Sequence, residues 1–546
     1  MLLRRNEASH TKIRTGSFES FAEHDTTPSH RMRQSSTSRI PDESAFEEAR
    51  PVSPDRHRVR HLSGLNTPES RICLLDRDGA FHTSEHAAIL VRSASGYPAD
   101  MMPASILLAA ALNQAAPVTV VDIEHATLTE VNDAKALAST HGWWLELGNE
   151  LVLAGLNKSD EQHLGLPLQA RFESVDAARL RVIGRGCAEP IQFGQEIASS
   201  GRWQLRLVDP GQPLPDDDAH LTIRAFEPNQ VLAQRHRLST AARAKAAADP
   251  AVQAVVDSID SARWFADVST LASFDRSSYA TTSLAQARDW IAGQMQTIGL
   301  TASTPNFNMS SPSGTITRQN VLGVWTGTSL PDEWVIVGAH YDSRTTNINT
   351  TLNTPGAEDN ASGCAGVLEL ARALVPRQPT RTVLFMCYAG EEQNLLGSAA
   401  HVQSLNSGGQ LTKVQAVVIM DMIGYSADAN LQALYETSAT YLSYAQRFGA
   451  AATTYVPALD VVYSTNPFGS DHMPYLNAGR QTLLAIENDW DIYPHYHRST
   501  DTPANMGANA AAMGSAILKT NAAVLAELVG LPPAAEFADG FESPAR

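Results

Sequence analysis

Cysteine is scarce in this chain. Its 546 residues include four cysteines, at positions 73, 187, 364 and 387, and no two of them form a Cys-x-x-Cys pair. This scarcity excludes a zinc site built from cysteine pairs and a dense disulfide framework. Because Cys364 and Cys387 lie in apolar helix and strand patterns, we predict buried thiols at these positions, with one disulfide as the alternative.

Basic residues and long apolar runs are also lacking. The chain has 41 Lys and Arg against 58 Asp and Glu, and its formal net charge is −17 at pH 7. Nucleic acid is therefore not expected to be the main partner, because phosphate binding needs a basic surface. No stretch reaches the roughly 20 apolar residues of a membrane helix, so stable membrane insertion is not expected.

The amino-terminal region does not have the pattern of a folded domain. Residues 1–100 show poor apolar periodicity and are interpreted as a disordered or spurious extension. Residues 101–117 contain the run "MMPASILLAAALNQAAP", which resembles the hydrophobic part of a secretory signal peptide, a buried helix being the alternative. We therefore expect the native start near residues 91–102 and a secreted or periplasmic protein.

Two folded regions are predicted after this run. Across residues 118–230, short β-prone runs alternate with turns, which indicates a small β-rich prodomain or accessory domain. Residues 231–248 form a connector, and 532–546 a tail. Across residues 249–531, near-continuous apolar strands such as "EWVIVGAH" and "TVLFMCY" alternate with amphipathic helices. This pattern predicts an α/β fold with a mostly parallel central sheet and helices on both faces.

Acidic residues and histidines follow the predicted strands of this second region. Ligands bind outside the carboxyl ends of the strands in such sheets. Two adjacent glutamates alone would be read as solvated charges opening a helix, but several converging segments favour a metal site. Carboxylates mixed with histidines suit zinc or a similar divalent ion. The segments are "VIVGAHYDS", "PGAEDN", "FMCYAGEE", "VVIMDM" and "DIYPHYHRSTDT".

The same segments carry a family resemblance. In this order, "VGAHYDS", "PGAEDNASG", "YAGEEQNLLGS", "IMDMIGY" and "HYHRSTDT" resemble the co-catalytic di-zinc aminopeptidases related to bacterial leucyl aminopeptidase. Glutaminyl cyclases and the peptidase-like domain of the transferrin receptor are kin of that family. The resemblance covers residues 249–531. It implies a zinc exopeptidase fold, two Zn²⁺ per chain, and hydrolysis of the N-terminal peptide bond of peptides.

The resemblance also implies the metal ligands. Asp359 would bridge the two ions. His340 and Asp421 would hold one ion, and Glu392 and His497 the other.

Two further residues would support the chemistry. Asp342 would hold the second ring nitrogen of His340, and Glu391 would be the general base. His495 is the weaker alternative to His497 as a ligand, because "HRSTDT" matches the stretch that follows the last ligand of the family.

The stretch "YSTNPFGSDH" departs from the family pattern. Leucyl members often have a disulfide here, with a tyrosine that stabilises the oxyanion, whereas this chain has no cysteine there and has Pro467 at the tyrosine position. Tyr463 is a possible substitute. The consecutive residues Ser470, Asp471 and His472 cannot form a catalytic triad, and the chain has no Gly-x-Ser-x-Gly elbow. The resemblance places Asp471 and His472 beside the site, with buried polar support as the alternative.

The substrate pocket is predicted from residues that flank the ligand-bearing segments. These residues are apolar or aromatic, which predicts an apolar first residue in the substrate; the alternative is that they are ordinary core residues, Ile486 above all. They are Met422, Ile486, Trp490, Tyr493 and Tyr496.

Three other functions compete with the aminopeptidase. A glutaminyl cyclase-like acyltransferase would lack the first histidine ligand, so the presence of His340 argues against it. A carboxypeptidase for acidic substrates would need a basic cluster, and only Arg344 and Arg498 lie near the motifs. A non-catalytic binding domain would have lost ligands that this chain retains.

Overall fold

The structure is a computed structural model that describes residues 115–185, 191–216, 221–237 and 248–531. The predicted extension, nearly all of the signal segment, most of the connector and the tail lie outside these residues, as do Cys73 and Cys187. All described residues fall in one compact unit.

Nineteen strands are present in the described residues. They are β1 (Ala116–Asp122), β2 (Trp144–Gly148), β3 (Glu150–Ala154), β4 (Leu168–Val175), β5 (Leu180–Arg185), β6 (Gln195–Ser200), β7 (Trp203–Leu207), β8 (Leu221–Ala225), β9 (Gln230–Arg235), β10 (Thr301–Ser303), β11 (Asn306–Ser311), β12 (Gly314–Gln319), β13 (Val321–Trp325), β14 (Leu330–His340), β15 (Arg381–Tyr388), β16 (Val414–Met420), β17 (Gln432–Glu436), β18 (Asp460–Ser464) and β19 (Thr482–Glu487).

Ten α-helices accompany them in the described ranges. They are α1 (Leu128–His141), α2 (Lys158–Leu164), α3 (Pro250–Val256), α4 (Ser261–Leu271), α5 (Thr282–Ile298), α6 (Gly363–Leu374), α7 (Leu396–Ser407), α8 (Leu442–Tyr455), α9 (His472–Asn477) and α10 (Ala510–Val529).

The main sheet has thirteen strands in the order β10-β13-β15-β14-β16-β19-β17-β18-β9-β2-β3-β1-β4. Its centre is parallel, since β15, β14, β16 and β19 pair in parallel. Away from this centre the sheet is mixed, with antiparallel pairs such as β13–β15 and β17–β19. The α/β prediction is therefore confirmed, whereas a mostly parallel sheet describes only the central strands.

Both faces of the central strands are covered. Along β14, Val335 and Val337 belong to a core cluster that includes residues of α10 such as Ile517. Ile336, between them, belongs to a second cluster that includes Trp203 of β7. Alternate side chains of a strand point to opposite faces, so burial on both faces explains the near-continuous apolar strands.

The amino-terminal β-rich segment is joined to the main sheet. Its β9 pairs antiparallel with β18, with Val462 opposite Arg235. Strands β6, β7, β5 and β8 form a separate four-stranded sheet, and α1 and α2 were not predicted. The boundary between the segment and the catalytic region stays a prediction, but hydrogen bonds cross it.

Cys364 and Cys387 form a disulfide that links α6 to β15, with their Cα atoms 5.9 Å apart. The preferred interpretation as free buried thiols is wrong, and the alternative of one disulfide is correct. Both residues are fully buried, as predicted. Sequence patterns indicated burial but could not show that helix and strand bring the two sulfur atoms together.

In the described part of the chain, one helix, α10, is both long enough and apolar enough to cross a membrane. Within its most apolar window, 72% is buried inside the protein. It packs against α3 and α8, which is the position of a core helix.

A buried arginine supports the loops beneath the sheet edge. Arg276 is fully buried and donates hydrogen bonds to the backbone carbonyl oxygens of Tyr341, Leu271, Pro355 and Gly356. Burial lowers the pKa of its guanidinium to about 10, against the opposing effect of nearby carboxylates. Arg276 thereby ties the end of β14 to the turn that precedes α6.

Replacing Arg276 with methionine should lower the free energy of unfolding by at least about 3 kcal/mol, because each buried carbonyl that loses its donor costs about 1–3 kcal/mol. Urea unfolding followed by circular dichroism measures the change. Arg447→Met is the matched control: this arginine pairs with Glu527 at the surface, and its loss should cost less than about 1 kcal/mol. Equal losses in the two variants would contradict the supporting role.

Candidate metal centre

The parallel strands at the centre of the sheet bring the predicted site residues to one edge. His340 is the last residue of β14, and Asp421 directly follows β16. Glu391 and Glu392 follow β15 after a turn at Gly390, whose φ is 71°. All four side chains are buried, so the sheet edge here lies inside the protein.

Two groups of ligand atoms form around the two histidines. His340 Nε2 lies 3.3 Å from Asp421 Oδ1 and 3.4 Å from Asp359 Oδ1. His497 Nε2 lies 3.0 Å from Asp359 Oδ2 and 3.3 Å from Glu392 Oε2. The two oxygens of Asp359 therefore face different histidines, which is the arrangement of a bridging carboxylate.

The spacing and the chemistry of these atoms fit zinc. Ligand atoms about 2.0–2.2 Å from a tetrahedral zinc ion lie about 3.3–3.6 Å apart, close to the distances around His340. Both carboxylate oxygens of Glu392 are buried and accept no hydrogen bond within the described ranges. Because buried carboxylate oxygens are costly to leave unsatisfied, a cation is the natural partner for them.

The site carries excess negative charge. The pKa of His340 lies well above its ordinary value: burial acts to lower it, but the charges of Glu391 and Asp421 act more strongly in the other direction. Burial, together with the charge of Glu392, raises the pKa of Asp359. For Asp421 burial acts upward, yet the interaction with His340 prevails and the pKa is lowered. Bound cations would relieve this repulsion.

The adjacent glutamates belong to different groups. Glu391 joins His340 and Asp421, whereas Glu392 joins Asp359 and His497. Glu391 Oε2 lies 4.0 Å from His340 Nε2, farther away than either aspartate oxygen. This larger separation distinguishes Glu391 from the other carboxylates around His340.

Asp342 lies beside His340, but it contacts the ring mainly through its backbone. His340 Nδ1 is 3.1 Å from the carbonyl oxygen of Asp342 and 3.6 Å from its carboxylate. The carboxylate accepts hydrogen bonds from Ser278 Oγ and from the backbone N–H of Glu391. Asp342 is thus placed to orient both His340 and the segment that carries Glu391.

Of the two histidines in "HYHRST", only His497 lies in the site. It is 2% exposed. His495 is half-buried, and its Nδ1 lies 2.9 Å from Thr500 Oγ1. The structure therefore brings together all five predicted ligands and leaves His495 outside.

Two buried acids that received no role from sequence reasoning support the ligands. Asp501 accepts hydrogen bonds from the backbone N–H groups of Glu358 and Asp359, and burial raises its pKa to about 6. Glu358 accepts from the N–H groups of Gly424 and Tyr425, after β16, and burial raises its pKa to about 8. Asp501 lies in the motif "HRSTDT", and its position four residues after His497 could have indicated a role beside the ligands.

A small cavity opens beside the ligands and contains most of the predicted substrate residues. Tyr493 is placed differently, since its hydroxyl donates to Asp501 and its ring packs on Tyr425. Sequence reasoning missed Arg202 and Gly469. The cavity is lined by Arg202, Asp359, Asp421, Met422, Gly469, Ile486, Trp490 and Tyr496.

The Ser-Asp-His stretch lies next to the site as buried polar residues. Ser470 Oγ donates to Asp421 Oδ2 at 2.8 Å, and His472 Nε2 lies 3.5 Å from Glu436 Oε1. Burial raises the pKa of Asp471 to about 7. Tyr463 does not line the cavity; its hydroxyl lies 2.7 Å from His236 Nδ1.

Residues 320–525 match the model of Peptidase family M28. A probable zinc metalloprotease of Pyricularia oryzae is 35% identical over 194 residues, which cover 33% of this chain and 38% of that protein. Leucine aminopeptidase 1 of Arthroderma otae is 29% identical over 270 residues, covering 46% of this chain and 70% of that protein. These matches confirm the predicted resemblance.

The match to these proteins is partial. The chain spans 38–40% of the length of the first curated zinc metalloproteases. Among solved structures, LapA of Legionella pneumophila is similar with a TM-score of 0.45 and 20% identity, covering 64% of this chain and 99% of that chain. BSAP, a zinc aminopeptidase from Bacillus subtilis, has a TM-score of 0.43 and 17% identity, covering 50% and 95%.

Replacing Glu392 with glutamine should weaken the binding of zinc, because an amide is a much poorer zinc ligand than a carboxylate. We expect purified protein to lose up to one zinc ion per chain on dialysis against a weak chelator, as measured by elemental analysis. Glu527→Gln, which changes a surface glutamate paired with Arg447, should retain the parent content. Full zinc retention by the Glu392 variant would exclude it as a ligand.

Proposed function

We propose that the M28 segment of this chain is a zinc-dependent aminopeptidase that hydrolyses the N-terminal peptide bond of peptides with an apolar first residue. Two Zn²⁺ would be held per chain. His340 and Asp421 would hold one, Glu392 and His497 the other, and Asp359 would bridge them. Peptides are the expected partners.

The observation that carries this proposal is the geometry of Asp359. Its two oxygens face His340 and His497 separately, at 3.4 and 3.0 Å. A single-zinc site would have no use for a second histidine and a second carboxylate on the far side of the same aspartate. This arrangement supports two ions and disfavours a single-zinc acyltransferase.

The residues around the ligands have distinct tasks in this proposal. Bound zinc would supply a more acidic water and polarise the scissile carbonyl. Glu391, which lies farther from His340 than a ligand would, takes the proton of the attacking water and passes it to the leaving amine. Asp421, which lines the cavity, accepts the free α-ammonium group of the substrate.

The lining of the cavity supports an apolar first residue. Met422, Ile486 and Trp490 supply apolar walls, and the ring of Tyr496 stacks on His497. The cationic Arg202 in the lining lies 3.4 Å from Glu436 Oε1, so its charge is balanced within the protein. The cavity therefore offers no net positive charge to an acidic side chain.

An exported protein is part of the proposal. The apolar run at residues 101–117 resembles the hydrophobic part of a signal peptide. The disulfide between Cys364 and Cys387 adds support, because disulfides persist mainly in oxidising compartments.

Replacing Glu391 with glutamine keeps size and shape but removes the proton acceptor. We expect kcat to fall by about 10²–10⁴, the range typical of general acid–base catalysis, while zinc content stays near that of the parent. Steady-state hydrolysis of a leucine chromogenic amide and elemental analysis, on this variant and on Glu392→Gln, provide the comparison. A fully active Glu391 variant, or one that loses zinc while the Glu392 variant keeps it, would reverse the assignment.

Amides of leucine, lysine and glutamate test the preference for an apolar first residue. We expect kcat/KM to be highest for leucine, because a charged side chain would be desolvated in the cavity without a free partner. A chelator should abolish turnover. Fastest turnover of a charged substrate would refute the preference, and cyclisation of N-terminal glutamine without amide hydrolysis would favour the acyltransferase.

A further inference from the structure

The loop that follows β18 is held by side chains from the amino-terminal β-rich segment. Trp203 Nε1 of this segment donates to Ser464 Oγ at 3.2 Å. Arg224 Nη2 donates to Asn466 Oδ1 at 2.9 Å. Both donors reach across more than 240 residues of sequence, to a loop in which the leucyl relatives described above often have a disulfide.

Arg202 makes the most deeply buried of these contacts. It is 1% exposed, and its Nη2 donates to the carbonyl oxygen of Phe468 at 2.6 Å. Its Nε donates to the carbonyl oxygen of Arg185 at 3.1 Å, and its guanidinium lies over the ring of Phe468. Contacts on three sides fix the orientation of the guanidinium plane.

Glu436 completes the arrangement from the other side of the loop. Its Oε1 lies 3.4 Å from Arg202 Nη1 and accepts a hydrogen bond from the backbone N–H of Phe468 at 3.2 Å. Both the carbonyl oxygen and the N–H of Phe468 are therefore bound by this buried ion pair. The pair fixes the backbone of the loop two residues before Ser470.

The loop leads directly to a predicted zinc ligand. Ser470 Oγ donates to Asp421 Oδ2, the carboxylate oxygen that does not face His340. Arg202 and Gly469 line the cavity together with Asp359 and Asp421. The amino-terminal segment therefore forms one wall of the centre.

We propose that Arg202 is a positioning residue for the metal centre: it holds the loop around Phe468 so that Ser470 fixes Asp421 and the wall of the first-residue cavity. The expected effect on substrate hydrolysis rests on the proposed function, whereas the expected effect on zinc affinity does not. It gives the β-rich segment a role in positioning the metal centre of the full-length protein.

A lysine cannot replace Arg202 in this position. Its ammonium is a point charge, whereas the guanidinium donates in several fixed directions. Arg202→Lys keeps the charge opposite Glu436 and should lose the bonds to Phe468 and Arg185. Arg202→Met loses the charge as well as these hydrogen bonds, whereas Trp203→Phe loses only the hydrogen-bond donor to Ser464.

The test compares these variants in the full chain with Arg206→Met. Arg206 lies on β7, the strand that begins directly after Arg202, and its hydrogen bonds to described residues stay within the β-rich segment, at Phe193, Gly194, Glu196 and Gln204. Zinc affinity is measured by competition with a chromophoric chelator, and kcat and KM with a leucine chromogenic amide. Circular dichroism and thermal unfolding establish that each variant is folded.

We expect the affinity of the more weakly bound zinc to fall about 10–100-fold in Arg202→Met, the usual effect of losing a residue that orients a ligand. Arg202→Lys should also be impaired, KM should rise more than kcat falls, and Arg206→Met should match the parent. Unchanged zinc affinity in folded Arg202→Met would overturn the proposal. If Arg202→Met does not fold, unchanged affinity in both Arg202→Lys and Trp203→Phe would overturn it, and a loss in either would support it.

The zinc measurement separates this inference from the proposed function. A parent protein that binds zinc but releases no residue from any amide would refute the aminopeptidase assignment. The affinity difference between the Arg202 and Arg206 variants would still decide whether Arg202 positions the metal centre.

Discussion

Buried negative charge at the edge of the central sheet is the constraint on which the rest of the structure depends. Asp359, Glu391, Glu392 and Asp421 are all buried, and they surround only two imidazoles. Carboxylates in a dry environment repel one another and lose hydration, so they need cations or donors. Ser470 supplies one such donor, to Asp421 Oδ2, whereas Asp501 accepts the backbone N–H of Asp359 and so fixes the loop that carries this ligand.

This constraint explains why so much of the surrounding polar chemistry is directed at backbone rather than at the ligands. Arg276 binds four carbonyl groups beneath the edge, and Glu358 binds two N–H groups after β16. A hydrogen-bond donor given to the ligand oxygen that faces a metal would compete with it, and Ser470 donates instead to the oxygen of Asp421 that does not face His340. Support through the backbone fixes the ligand position and leaves its oxygens available, as they are in Glu392.

The β-rich segment also supports the loops around this buried charge. Its residues Trp203 and Leu205 share the core cluster on one face of the central sheet with Leu405 of α7 and Tyr475 of α9, while helices such as α6 and α10 cover the other face. Arg202 extends this packing to the loop that carries Ser470. The segment therefore covers the sheet and reaches the cavity, and a catalytic region without it would expose an apolar face.

By itself the sequence determined the α/β pattern and the gathering of acids and histidines at one sheet edge, because strand periodicity and residue type are local, and parallel strands end at one edge. Their assignment as ligands follows from the family resemblance. It could also separate Glu391 from Glu392, since adjacent side chains diverge. Tertiary structure alone decided which distant residues meet. The disulfide between Cys364 and Cys387, the position of Tyr493 on Asp501 and the reach of Arg202 to Phe468 depend on packing between elements far apart in the chain, and no local pattern carries that information.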